Sequence, residues 1–112
     1  MLPRSWHLTA PSHFALVYKR GNFKRYPGFV WRQFKTNNPI NTKIAVVASK
    51  KVTNKAVLRN LYKRRIWAVL RDFKLNIPAK SWLIVIQISN NIEKMEFEDI
   101  KKYIKHAITG IL

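Results

Sequence analysis

Between Lys50 and Arg65 the chain carries Lys50, Lys51, Lys55, Arg59, Lys63, Arg64 and Arg65, with Asn60 among them and no acid. Side chains of this kind do the chemistry of anion capture. Arginine presents planar, forked donors that match phosphate oxygens, lysine a compact charge, and asparagine a donor and an acceptor for sugar or base edges. Lys55, Arg59 and Lys63 recur every four residues. On a helix that spacing sets charges about 6 Å apart along one face, close to the phosphate repeat of one nucleic-acid strand. A solvated surface run is the plainer reading, but a merely solubilising helix mixes both signs, and no acid occurs from Pro39 to Arg71.

Groups for protein-borne catalysis are scarce. Hydrolysis needs a positioned base, a nucleophile or a metal cluster. The absence of cysteine removes disulfides, thiolate zinc sites and thiol nucleophiles together. His7, His13 and His106 have no ligand spacing and read as surface or half-buried imidazoles. Glu93 and Glu96 could share a helical face and a metal. Yet acids at 93, 96, 98 and 99 followed by Lys101, Lys102 and Lys105 is the order that complements a helix dipole. The three glycines form no phosphate-cradling loop. Any activity associated with the chain is therefore expected to draw its catalytic groups from elsewhere.

The charge is lopsided as well as large. Of the net +17, all belongs to residues 1–92, which hold 18 cations against Asp72 alone, while residues 93–112 balance four lysines with four acids. Self-repulsion of that size is normally kept only where a polyanion compensates it. Nucleic acid is the first partner to consider, ahead of an acidic membrane surface or an acidic protein. A length of 112 residues, 47% of them hydrophobic, supports one folded domain with one modest core, over 1–112, rather than a disordered polycation. No apolar run is longer than Trp82 to Ile86, continued after Gln87 by Ile88, which is far short of the ~20 residues of a membrane span. The N-terminal apolar residues are broken by Pro3, His7, Pro11 and His13, so no export signal and a cytoplasmic location are expected.

Six elements are expected to position these residues. Ser12 to Arg20 reads as a short helix with Phe14, Val17 and Tyr18 on one face, ending at Gly21. Residues 29–34 read as a strand with Phe29, Trp31 and Gln33 on one side and Val30, Arg32 and Phe34 on the other. The turn cluster at 36–41 then suits a return into an antiparallel neighbour, the β-branched run from Lys43 to Ser49, expected to lie inside the sheet. Thr53 or Asn54 can cap a helix running to about Phe73. Its periodicity gives a cationic stripe, Lys55, Arg59, Lys63, Trp67 and Arg71, flanked by Asn60 and Arg64. Val57, Leu58, Leu61, Tyr62, Ala68 and Val69 would form the sheet-facing side. Ser81 to Ile88 is nearly continuous in hydrophobicity and so a central strand, and Asn90 or Asn91 begins a last helix. The order is α-β-β-α-β-α, an α+β domain.

Phe14 and Tyr18 admit two readings. Aromatics at i, i+4 usually serve a core, but beside Lys19, Arg20, Lys24 and Arg25 they could line a groove where single-stranded bases stack. Arg32 favours the groove, because a cation within a strand must face solvent or a ligand on its side of the sheet.

The block Ser49-Lys-Lys-Val-Thr-Asn-Lys-Ala-Val-Leu-Arg-Asn-Leu-Tyr-Lys-Arg-Arg65 resembles the RNA-binding helix of the protein subunit of bacterial ribonuclease P. Met1-Leu2-Pro3-Arg4, Phe14 with Tyr18, the Lys-Arg-Gly turn at 19–21 and the order of elements resemble that family too. The resemblance implies a ribosomal-protein-like fold with a left-handed βαβ crossover. It also implies a protein, monomeric before assembly and not membrane-bound, that partners ribonuclease P RNA and precursor tRNA in endonucleolytic removal of the 5′ leader. The catalytic groups and Mg2+ would then belong to the RNA, with no cofactor on the protein. Carried over by position, Lys50, Lys51, Lys55, Arg59, Asn60, Lys63, Arg64 and Arg65 fall in the RNA-subunit contact, and Phe14, Tyr18 and Arg32 on the leader side. Leu61 stands where the motif carries arginine, and Trp67 where a later arginine falls. By periodicity Leu61 faces the sheet, so packing is expected to gain from that departure. A structural RNA-binding protein of the same fold, ribosomal or an assembly factor, is the alternative. A membrane-active or DNA-compacting polycation would have no use for the aromatic pair.

Overall fold

The computed structural model describes residues 3–48 and 55–110. In chain order the elements are α1 (Pro11–Arg20), β1 (Asn22–Tyr26), β2 (Phe29–Lys35), β3 (Lys43–Ala48), α2 (Ala56–Asp72), β4 (Trp82–Ile88) and α3 (Phe97–Thr109). Short 3-10 turns lie at Arg4–Trp6, Lys74–Asn76 and Asn90–Lys94. The four strands form one sheet in the order β1-β2-β4-β3, antiparallel except for the parallel pair β3 and β4. Among the described residues, no helix is long and apolar enough to cross a membrane.

Three expectations are corrected here. Residues 22–26 form a strand, and β2 does not return into β3; its neighbours are β1 and β4. Pro27 and Gly28 make the two-residue turn between β1 and β2, with Gly28 at φ +89, the conformation that a turn with proline first and glycine second requires. Second, β3 lies at the sheet edge rather than inside it. The N-terminal segment covers that edge: His7 bridges to Ile44, and the Leu8 amide donates to the Ile44 carbonyl at 2.9 Å, which occupies backbone groups that an open edge leaves unpaired. Third, the last helix starts at Phe97; Asn90–Lys94 is a separate 3-10 turn. The caps proposed at Thr53 and Asn54, and Ser49, lie outside the described residues.

Strand alternation divides the core into two layers. Phe29, Trp31, Ile44, Val46, Ile84, Ile86 and Ile88 meet Tyr62, Ile66, Val69 and Leu70 of α2 and Ile100, Ile104, Ala107 and Ile108 of α3. On the opposite face Ala45, Leu83 and Val85 meet Val17 of α1 and Leu8, with Phe14, Leu16 and Phe34 packed around them. The central strand β4 is covered on both faces, which is why its sequence is apolar throughout except at Gln87. One short helix shields less of the second face than two shield the first. The part of that face nearest β1 stays accessible.

At the other end of the sheet, Thr42 is fully buried, and its hydroxyl donates to the Pro78 carbonyl at 2.6 Å. That bond fastens the start of β3 to the segment entering β4 and satisfies a polar group that burial would otherwise penalise.

Candidate nucleic-acid interface

The accessible end of the α1 face gathers an aromatic and cationic cluster. Arg32 and Phe23 are direct cross-strand partners in β2 and β1, so their side chains share this face. The Arg32 guanidinium carbon sits 4.9 Å from the centre of the Tyr18 ring and 5.2 Å from that of Phe23. Its Nε donates to Gln87 Oε1 at 3.4 Å. Arg25 adds a second cation 5.8 Å from the Phe23 ring. The two aromatics are unusually open, Tyr18 at 44% and Phe23 at 56% exposure. Open rings with guanidinium groups beside them make a platform on which bases stack while their phosphates are neutralised.

Of the expected leader-side residues, Tyr18 and Arg32 are brought together. Phe14 is half-buried and packs on the small core beneath α1. Phe23 belongs to the cluster but was not among the expected residues. The signal for it is Pro27-Gly28, which implies a hairpin and hence a strand through Phe23.

On α2, Asn60, Arg64, Arg65 and Arg71 are exposed, Lys63 is half-buried, and all five line one groove of about 610 Å³. Lys55 is exposed and Arg59 half-buried; neither lines that groove. Lys50 and Lys51 lie outside the described residues. The expected faces of α2 are partly exchanged. Trp67, placed on the cationic stripe by spacing, is 8% exposed and stacks on His7, with ring centres 4.6 Å apart and planes within 12°. Val57, placed on the sheet side, is 75% exposed. Leu61 and Ala68 are half-buried and line the groove beside Phe97 of α3 rather than the sheet-side core. The front of α2 is thus a cationic rim around a small apolar floor.

The histidines stay apart: His7 stacks on Trp67, His13 lies within α1, and His106 Nδ1 is 2.9 Å from the Tyr26 hydroxyl. Among the described residues no three His, Asp or Glu side chains gather where they could hold a metal ion.

The ribonuclease P family model matches residues 2–111. The chain belongs to the ribonuclease P family. The ribonuclease P protein component of Rippkaea orientalis is 34% identical, covering 96% of this chain and 87% of the relative. That of Picosynechococcus is 33% identical over 96% and 90%. The fold matches the RNase P protein of Staphylococcus aureus with a TM-score of 0.81, at 24% identity over 95% of this chain and 94% of that one. It matches the Thermotoga maritima RNase P protein at 0.77, with 24% identity over 91% and 94%. Within the ribonuclease P family, then, this chain sets its two basic surfaces on opposite sides of one sheet: the α2 groove outside the larger core, and the Tyr18–Phe23–Arg32 cluster across β2 from it.

Proposed function

We propose that this chain is the protein component of a ribonuclease P, in which the α2 surface binds the RNA subunit and the Tyr18–Phe23–Arg32 cluster holds the single-stranded 5′ leader of precursor tRNA. Family membership supports the partnership with ribonuclease P RNA. The observation that carries the leader assignment is the Arg32 guanidinium between two open rings, at 4.9 and 5.2 Å. A single strand offers unpaired bases to those rings, whereas a duplex hides its base faces in the stack. The mature tRNA has lost the leader, so this contact distinguishes substrate from product. Hydrolysis of the phosphodiester falls to the RNA subunit with its Mg2+. The chain's part is to neutralise phosphates and to position the leader. It acts in the cytoplasm and meets the RNA as a monomer.

The test is reconstitution. Purified chain alone should leave precursor tRNA intact. Added to a ribonuclease P RNA, it should lower the Mg2+ needed for cleavage and favour precursor over mature tRNA. Cleavage unaffected by the protein across Mg2+ and salt titrations would overturn the reading. If Mg2+ demand falls but precursor and mature tRNA bind alike, the leader assignment alone fails.

A further inference from the structure

We propose that the groove between the β1–β2 turn and α3 is a second site for single-stranded RNA, on the face of the sheet opposite the Tyr18–Phe23–Arg32 cluster. It is independent of the leader assignment. Alternation along β1 prepares it: Phe23 and Arg25 point to the α1 face, so Lys24 and Tyr26 point to the other. On α3, Lys102, Lys105, His106 and Thr109 follow at i, i+3, i+4 and i+7 and are all exposed, while Ile100, Ile104, Ala107 and Ile108 are buried. Strand and helix close on a groove of about 580 Å³, within the ~300–1,000 Å³ of ordinary ligand sites.

Its cationic side chains are Lys24, Lys102 and Lys105, since the Arg25 guanidinium lies on the α1 face beside Phe23, and no carboxylate lines it. The helix dipole accounts for lysines late in α3, but not for the meeting of those lysines with Lys24 from a distant strand. Like charges facing one another across a groove cost stability unless an anion lies between them. Tyr26 and Tyr103 supply the walls, their ring centres 5.7 Å apart, with the Lys24 ammonium 5.5 Å from the Tyr26 ring and that of Lys102 6.0 Å from the Tyr103 ring. The Tyr26 hydroxyl lies 2.9 Å from His106 Nδ1, which fixes the imidazole at the edge of the groove. Aromatic walls and phosphate-binding cations together fit a nucleotide strand better than a simple anion.

The site is tested in full-length chain carrying Tyr18→Ala and Phe23→Ala, so that the other groove contributes little. The probe is a short fluorescein-labelled oligouridylate, followed by anisotropy over a salt series. Adding Lys102→Gln and Lys105→Gln, both at exposed positions, should reduce the slope of log affinity against log salt by about 1.4, from ~0.7 per neutralised phosphate on single strands. Tyr103→Leu keeps an apolar side chain there and should weaken binding about 5- to 150-fold, the loss of one base stack. Three results would overturn the site: no binding in the parent double variant, affinity and slope unchanged by these substitutions, or a duplex of equal length that binds more tightly with no dependence on Tyr103. Because stimulation of a ribonuclease P RNA is a separate assay, failure here leaves the proposed function standing.

Discussion

Arg32 lies over the ring of Tyr18, its guanidinium carbon 4.9 Å from the ring centre. The two residues come from β2 and the last turn of α1, so the contact exists only once the helix is seated on the sheet. Gly21 permits that seating: a Cβ there would fall 2.5 Å from the Val17 carbonyl oxygen and 2.7 Å from that of Gln33, too close for any other residue. The groove is therefore preformed rather than assembled around its ligand, and preorganisation spares binding part of its ordering cost.

Tyr18→Ala should accordingly weaken binding of precursor tRNA by about 5- to 150-fold, as expected for loss of a base stack, and leave mature tRNA unchanged. Arg32→Gln should act in the same direction but less strongly, since cation–π contacts at exposed sites are worth about 0.5–1 kcal/mol. Equilibrium binding of the two RNAs to reconstituted holoenzyme checks both. An equal loss for precursor and mature tRNA would mean that the substitutions damage the fold instead.

Trp67 and Val57 make a paired prediction about stability. Trp67→Ala removes a ring held between His7 and the core and should cost about 3–5 kcal/mol. Val57→Lys changes an exposed position and should stay within about 0.5 kcal/mol of the parent. Urea denaturation of the free protein distinguishes this from the reverse ranking, which spacing alone would predict.

That reversal shows where the sequence was legible. A four-residue step overshoots the helical turn by ~40°, so the stripe from Lys55 to Arg71 winds from one side of α2 to the other and crosses the buried arc at Trp67. Identity and periodicity identified the helix but misjudged which arc met the sheet. The helix α1, the alternation in β2 and the central place of β4 were readable because each has a regular apolar pattern. β1 was not: four of its five residues are exposed, so it has no apolar alternation, and only the Pro27-Gly28 turn betrays it. The parallel pairing of β3 with β4 depends on strands separated by all of α2, which no local pattern encodes. The same holds for the meeting of Phe23 with Tyr18 and Arg32, three residues legible singly and joined only by the fold.

Leu61, the position where the family motif carries arginine, opens onto the α2 groove. Leu61→Arg should thus be tolerated, within about 0.5 kcal/mol of the parent, and should raise affinity for the RNA subunit by neutralising a further phosphate. Arg64→Ala should do the opposite and reduce the salt slope of RNA-subunit binding by about 0.9 for each duplex phosphate that Arg64 neutralises. If Leu61→Arg instead unfolds the protein, the residue belongs to the core after all.

Tyr26 gives the pH dependence a defined sign. Burial raises its phenol above the ordinary 10.0, which means that the folded chain holds the proton more firmly than the unfolded chain does. The associated stability is complete below pH ~10 and is lost as pH rises through the higher folded value. Tyr26→Phe has no phenol to ionise and lacks this loss, although it forgoes the bond to His106 at neutral pH. The parent should therefore be the more stable of the two near pH 7, and its advantage should shrink as pH climbs past ~10. Lysine titration is common to both chains and largely cancels in the difference. Urea denaturation of the two proteins across that range measures it directly, and stability curves that stay parallel to the alkaline end would show that Tyr26 does not carry the effect.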